Sequence, residues 1–289
     1  MSSSSAPRAL TVSRRVRDHA FTVFMWGCGA TALIPLVIIA YYVVTKGWPA
    51  LSANFFTQTP AGPLNPSGGG IAEAFVGTGM IVGVASLLSI PLGVLAAVYL
   101  SEYGRGRLAS LVRAVAEVLL STPSIIAGMF IYSIVVVAMH GFSALAGSLA
   151  LTVLMWPVVA RATEEILRLV PVELREGALA LGLPRWKTIV RVVIPSAGTG
   201  ILTAVMLAVA RGLGETAPIL LTTLGSDYMN RNIFQPTDAV PLRIYNYARA
   251  PGPALHTIAW GGAVILLMAV LLLSIAARIL SVRQEKRLR

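Results

Sequence analysis

The sequence predicts an all-α protein that crosses a membrane six times. Three observations predict it. Apolar residues make up 56% of the 289 residues and charged residues only 12%, where a soluble domain carries about 25% charged. The apolar residues fall in uncharged runs, and a helix needs only about 20 such residues to cross a hydrocarbon core of roughly 30 Å. The basic residues gather in alternate connections between those runs. With a mean hydropathy of +0.78, the composition excludes a disordered chain, a disulfide scaffold and an ordinary soluble enzyme.

Taken in order, Phe21 to Thr45 gives 25 uncharged residues, Ala74 to Ser101 gives 28, and Val118 to Ala160 gives 43. The third run is too long for one span and fits two, with His140-Gly141 at the turn. Val192 to Ala210 gives 19, extended past Arg211 and Glu215 to Ser226, and Ala250 to Ala277 gives 28. The expected spans are 21–45, 72–100, 115–139, 143–162, 194–223 and 256–280. The first run follows Arg8, Arg14, Arg15 and Arg17 as a signal peptide would. It exceeds the 7–15 residues of a signal h-region, and no small-residue cleavage site follows Lys46, so it reads as a retained span. The organisation expected is an N-terminal tail over 1–20, a first helix over 21–45, a core of five helices over 72–280 and a C-terminal tail over 281–289.

Of the 23 Lys and Arg residues, 18 lie in the N-terminal tail, between spans two and three, between spans four and five, or in the C-terminal tail. Lys46, Arg231, Arg243 and Arg249 lie on the other side, and Arg211 lies inside span five. The positive-inside rule then puts both termini in the cytoplasm. The net charge of +11 reads as a topology signal with contact to anionic membrane lipid, and no nucleic-acid partner is expected. The outer connections 46–71, rich in Pro, Gly and Ser, and 224–255 are expected as loops. Cys28 is a single thiol in an apolar run. His19, His140 and His256 have no partner at ligand spacing, so no metal site is expected.

The connection 163–195 carries the strongest local signal. Pro171 suits a first helical turn, and Glu173 and Glu176 suit its positive end. Gly182 is placed to end the helix in a left-handed conformation, and Pro184 prevents continuation. Leu174, Ala178 and Leu181 form one apolar stripe. A helix of about three turns is not stable alone, so it is expected to dock on something. An amphipathic helix lying on the inner leaflet is the plainer alternative.

This connection resembles the cytoplasmic motif of ABC importer permeases: Glu-Ala-Ala, three residues, Gly, nine residues, Ile, one residue, Leu-Pro. Here it reads Glu176-Gly177-Ala178, Gly182, Val192-Val193-Ile194-Pro195, with matched spacing. Gly177 departs from the motif at about 1 kcal/mol of helix propensity, while Val192 and Ile194 keep apolar character. The resemblance implies a coupling helix that docks on a separate ATPase through Glu173, Leu174, Glu176, Gly177, Ala178, Leu181 and Gly182, within a type I ABC importer permease fold. Ala210-Arg211-Gly212-Leu213-Gly214-Glu215-Thr216-Ala217-Pro218, Thr122-Pro123-Ser124-Ile125-Ile126-Ala127-Gly128 and Trp156 to Glu164 are similar to segments of PstA-type permeases of phosphate-specific ABC transporters. That likeness implies a bacterial inner-membrane phosphate permease that is not itself an enzyme. The implied partners are a second homologous permease, two copies of an ATP-binding subunit and an external phosphate-binding protein. ATP with Mg would sit at the ATPase, and no cofactor in this chain, which has no Gly-Lys-Ser/Thr of a P-loop.

Arg211 and Glu215 are i, i+4 and share a face. Two charges inside a bilayer cost on the order of 5–7 kcal/mol before pairing. Two readings stand: a structural ion pair, or a transient anion site in which the arginine fork grips phosphate and Glu215 limits how tightly. Arg161 either guides phosphate at the inner mouth or anchors the span. Pro91, Pro123, Pro157 and Pro218 interrupt spans, as tolerated kinks or as points of bending. A permease for another oxyanion, an ion-coupled carrier using Glu117 or Glu215, and an intramembrane enzyme are the rivals. The enzyme lacks any His-Glu-x-x-His or Gly-x-Ser-x-Gly.

Overall fold

The computed structural model describes residues 12–61 and 69–288. The N-terminal tail through residue 11 and the Pro-rich stretch Pro63 and Pro66 to Gly68 lie outside the described residues. Among the described residues every regular element is helical, and the one β feature is an isolated bridge between Leu224 and Thr237. Four helices are long and apolar enough to cross a membrane, or six spans if each of two bent pairs is one.

The centre is α3 (Ala72–Val98) packed along α6 (Ala144–Arg168). Ile81, Val82 and Ala85 of α3 meet Leu151, Met155 and Val159 of α6 in one fully buried cluster. Pro91 and Pro157 both lie inside these helices without interrupting them. By contrast α1 (Val12–Gly47) has no buried residue across its apolar run. Its main packing is on α13 (Pro253–Leu288), where Tyr42 meets Trp260 edge to face at 5.3 Å. A helix with apolar residues on every side and so little covering needs lipid or another chain around it.

The expected third and fifth spans are not single helices. α4 (Arg107–Ser121) ends at Thr122, and α5 (Ser124–Ile131) starts after a bend of 108°. Pro123 removes a backbone donor and forces Thr122 to extended geometry (φ −74°, ψ 129°), which ends the helix before it. α5 then loosens into a π-helical turn over Tyr132–Val136. The fifth span begins as α8 (Arg185–Thr188), a π turn over Ile189–Val193 and α9 (Ile194–Ser196). It bends by 71° into α10 (Gly198–Gly214), then breaks again at Glu215 and Thr216 before α11 (Ala217–Thr223), whose first turn holds Pro218. The two post-break pieces, α5 and α11, pack on each other.

The connections expected as loops carry structure. In the first, Trp48–Ala50 forms a tight turn and α2 (Ala53–Thr57) buries Phe55 under α3. In the second, carbonyls of Thr222, Ile233 and Gln235 accept the backbone N–H groups of Ser143, Leu145 and Ala144, which caps α6. α12 (Val240–Arg249) buries Val240 to Arg243 against α3 and α13. Arg243 fastens it there. Its guanidinium pairs with Glu73 of α3 at 3.1 Å, with Asp227 at 2.7 Å and with Asp238. Burial pushes the Asp238 carboxyl up to about 6 while Arg243 pulls it down. Burial also works against the Arg243 charge, but Asp238 and Asp227 outweigh it and raise that group's pKa.

Arg243→Leu strands Glu73 and Asp238 in a buried site without a counter-charge. It should destabilise the protein by about 3–5 kcal/mol, read as a lower thermal midpoint of the detergent-purified protein. An unchanged midpoint would contradict the role of this arginine.

Candidate functional site

Helix α10 carries the central charge. Ala204, Ala208 and Gly212 are its buried stripe. Gly212 lets α10 approach α6 closely, because a Cβ there would collide with the Met155 sulfur. That packing turns the neighbouring stripe of Thr203, Leu207 and Arg211 away from the bundle. Arg211 is 13 residues past the start of α10 at Gly198, about 20 Å along the helix at 1.5 Å per residue. Its side chain is 40% exposed, and Glu215, just beyond the helix end, is 16% exposed. Arg211 Nε reaches Glu215 Oε1 at 3.4 Å. This is at the long edge of a hydrogen bond, so the pair is loose and its guanidinium keeps free donors.

Arg161 does not join this pair in the structure. Its Nη1 donates to Glu164 at 2.9 Å, and its Nη2 lies 3.4 Å from Glu117. Glu164 is fully buried and is also gripped by Arg113 at 2.8 Å and Arg168 at 2.6 Å. Three arginines around one buried carboxylate tie α4 to α6. Arg161 is therefore committed to carboxylates already present, and Glu117 is one of them. No local pattern announces this cluster, because Arg113 and Glu164 are 51 residues apart.

The segment 163–195 forms the expected helix, α7 (Val172–Ala180), with Pro171 just ahead of it and Glu173 in its first turn. Gly182 has φ +82°, the left-handed conformation that stops the helix without a Cβ penalty. The apolar stripe is split. Ala178 is buried against its own chain, whereas Leu174 is 45% and Leu181 85% exposed. Val172, Leu179 and Trp186 are exposed beside them, and Glu173, Glu176 and Gly177 are exposed as well. A surface of this kind marks a contact site for another protein or for the membrane.

A link that sequence reasoning missed holds α7 in place. Arg175 Nη2 and Nε donate to Glu102 at 2.8 and 3.2 Å, and Arg175 also donates to the carbonyls of Val170 and Leu167. Glu102 lies in a π turn over Tyr99–Tyr103 that continues α3. Arg185 Nη2 donates to the Glu102 carbonyl at 2.7 Å, and its guanidinium lies 5.0 Å from the Tyr103 ring centre. The exposed helix is thus coupled through one carboxylate to α3, half of the most extensively packed helix pair of the bundle.

A polytopic helical bundle with broken spans, an exposed helix on a charged tether and a loosely paired arginine on an uncovered face is the membrane part of a transporter. Residues 89–289 match the family of binding-protein-dependent transport system inner membrane components. The chain is 39% identical over 274 residues to the phosphate transport system permease protein PstA of Yersinia pestis, covering 94% of this chain and 92% of that protein. It is 42% identical over 275 residues to the permease protein PstA 1 of Mycobacterium tuberculosis strain H37Rv, covering 93% and 89%. Among solved structures, an inward-facing form of the MetNI methionine ABC transporter aligns with a TM-score of 0.58 at 20% identity, over 74% of this chain and 95% of that one. That likeness speaks for the fold. The chain belongs to the binding-protein-dependent inner membrane components, and within them to the PstA permeases.

Arg175→Lys keeps the charge but not the fork that spans Glu102 and two carbonyls. Trypsin should then cut the segment 163–195 of the folded protein several times faster than in the parent. Equal cleavage would show that the tether does not hold α7.

Proposed function

We propose that this chain forms one half of the membrane pathway of an ATP-driven phosphate importer, paired with a second homologous permease. The observation that carries the reading is Arg211: a charge in the last turn of α10, on its uncovered stripe, held by Glu215 at only 3.4 Å. An arginine fork matches phosphate oxygens two at a time. Glu215 balances the charge when the path is empty and competes with phosphate when it is full, which keeps binding weak enough for release. Arg161, engaged with Glu164 and Glu117, shapes the field at the inner mouth.

The arginine-rich end, with α7 and the ends of α3 and α6, faces the cytoplasm together with both termini. There the exposed residues around Leu174 and Leu181 dock on one of two ATP-binding subunits, where ATP with Mg is hydrolysed. Closure of the ATPases pushes α7. Arg175 and Glu102 pass the displacement to α3, and the post-break helices α5 and α11 swing together because Pro123 and the Glu215-Thr216 break leave no continuous backbone ladder to resist them. An external phosphate-binding protein delivers the ion at the opposite end, where α12 and the loop before it form the surface.

In vesicles holding the assembled complex, labelled phosphate uptake should need ATP, and Arg211→Gln should abolish uptake while the complex still purifies intact. Uptake without ATP would favour an ion-coupled carrier, and normal uptake by the variant would remove Arg211 from the path. Competition by another oxyanion at equal strength would move the substrate assignment.

A further inference from the structure

A concavity lies at the arginine-rich end, away from Arg211. It has a volume of about 380 Å³ and is lined by Arg105, Arg113, Arg168, Arg175 and Arg185, with Glu102 as the acid among them. Four of these arginines each spend part of their guanidinium on the fold: Arg113 and Arg168 on Glu164, Arg175 on Glu102, Arg185 on the Glu102 carbonyl. Arg105 spends none. Its side chain makes no ion pair and no hydrogen bond with any described residue. Five positive charges thus converge on one cavity, while two carboxylates touch them. Each arginine carries five N–H donors and no acceptor, so donors remain unused along the cavity wall. A basic anchor that merely marks the inner side of a membrane has no need of such convergence.

We propose that this cavity is an oxyanion site for a phosphate group, supplied either by free inorganic phosphate or by an anionic lipid headgroup. Its walls come from four elements: the π turn at the end of α3 with the Gly104-Arg105 turn after it, Arg113 of α4, Arg168 at the end of α6, and α7 with the following Arg185. An anion bound there clamps α7 to α3 and α4 and reports the phosphate state of that side to the exposed docking helix. The inference goes beyond the transport reading. It draws on that reading only for which pool of phosphate the cavity samples.

The test is equilibrium binding of radiolabelled inorganic phosphate to the assembled complex, without the external binding protein, in nanodiscs of phosphatidylcholine. Arg105→Gln should weaken one component of binding about tenfold or more, the factor that one charge-assisted hydrogen bond carries. Arg105→Lys should restore part of it, and Arg211→Gln should leave it in place. Repeating the measurement with phosphatidylglycerol in the disc separates the sources. If the component persists, free phosphate is the ligand; if it disappears, the lipid headgroup occupies the cavity. Either outcome supports the site. Phosphate binding unchanged by Arg105→Gln would overturn it, as would loss of all binding in Arg211→Gln. A variant that only weakens retention of the ATPase, with phosphate binding intact, would also overturn it and assign the arginines to a carboxylate of that subunit. A path in which Arg211 proves irrelevant to uptake leaves this binding result untouched.

Discussion

A charge inside a lipid-embedded bundle must find an opposite charge, and this constraint organises the molecule. It is met in three ways. At one end Arg243 sits within reach of three carboxylates, Glu73, Asp227 and Asp238. At the other end Glu164 sits within reach of three arginines, Arg113, Arg161 and Arg168. Between them Arg211 and Glu215 form a single long pair on an uncovered face. The first two clusters are each centred on a buried group and join elements far apart in the chain, so they fix the ends. The third is exposed and joins neighbours in sequence, so it fixes little. Its looseness is what the proposed exchange of Glu215 for an anion requires.

The same constraint explains how a displacement travels. α7 is exposed on its apolar side, yet its Arg175 reaches back to Glu102 at the end of α3. α3 is packed along α6, and α6 holds Glu164. A push on α7 therefore acts on the two central helices through charge-assisted bonds that direct a force better than greasy contact does. The weak points are elsewhere, at Thr122-Pro123 and at Glu215-Thr216, where the backbone ladder stops. Rigid ends and two breaks suit a gate that moves as bodies.

What the sequence revealed was local. Apolar runs count the spans, and the pattern Pro171, Glu173, Gly182 places a helix and its stop, because capping is decided within a few residues. The i, i+4 relation of Arg211 and Glu215 was equally visible. What stayed hidden was distance along the chain. Arg175 meets Glu102 across 73 residues, and no periodicity announces such a pair. Pro123 and Pro218 stood beside Pro91 and Pro157 as four equal interruptions, yet two lie inside continuous helices and two lie at breaks. The difference rests on neighbours: α3 and α6 are held straight by one another, and α4 and α5 are not. Ala178 looked like part of a docking stripe until its own chain covered it.

The most direct trial of the account removes both charges of the central pair at once. ATP-driven phosphate uptake should be absent from Arg211→Gln combined with Glu215→Gln, since the fold loses no unpaired charge but the path loses its anion fork. Uptake near the parental rate in that double variant would contradict the account, because it would make the pair a dispensable structural bridge.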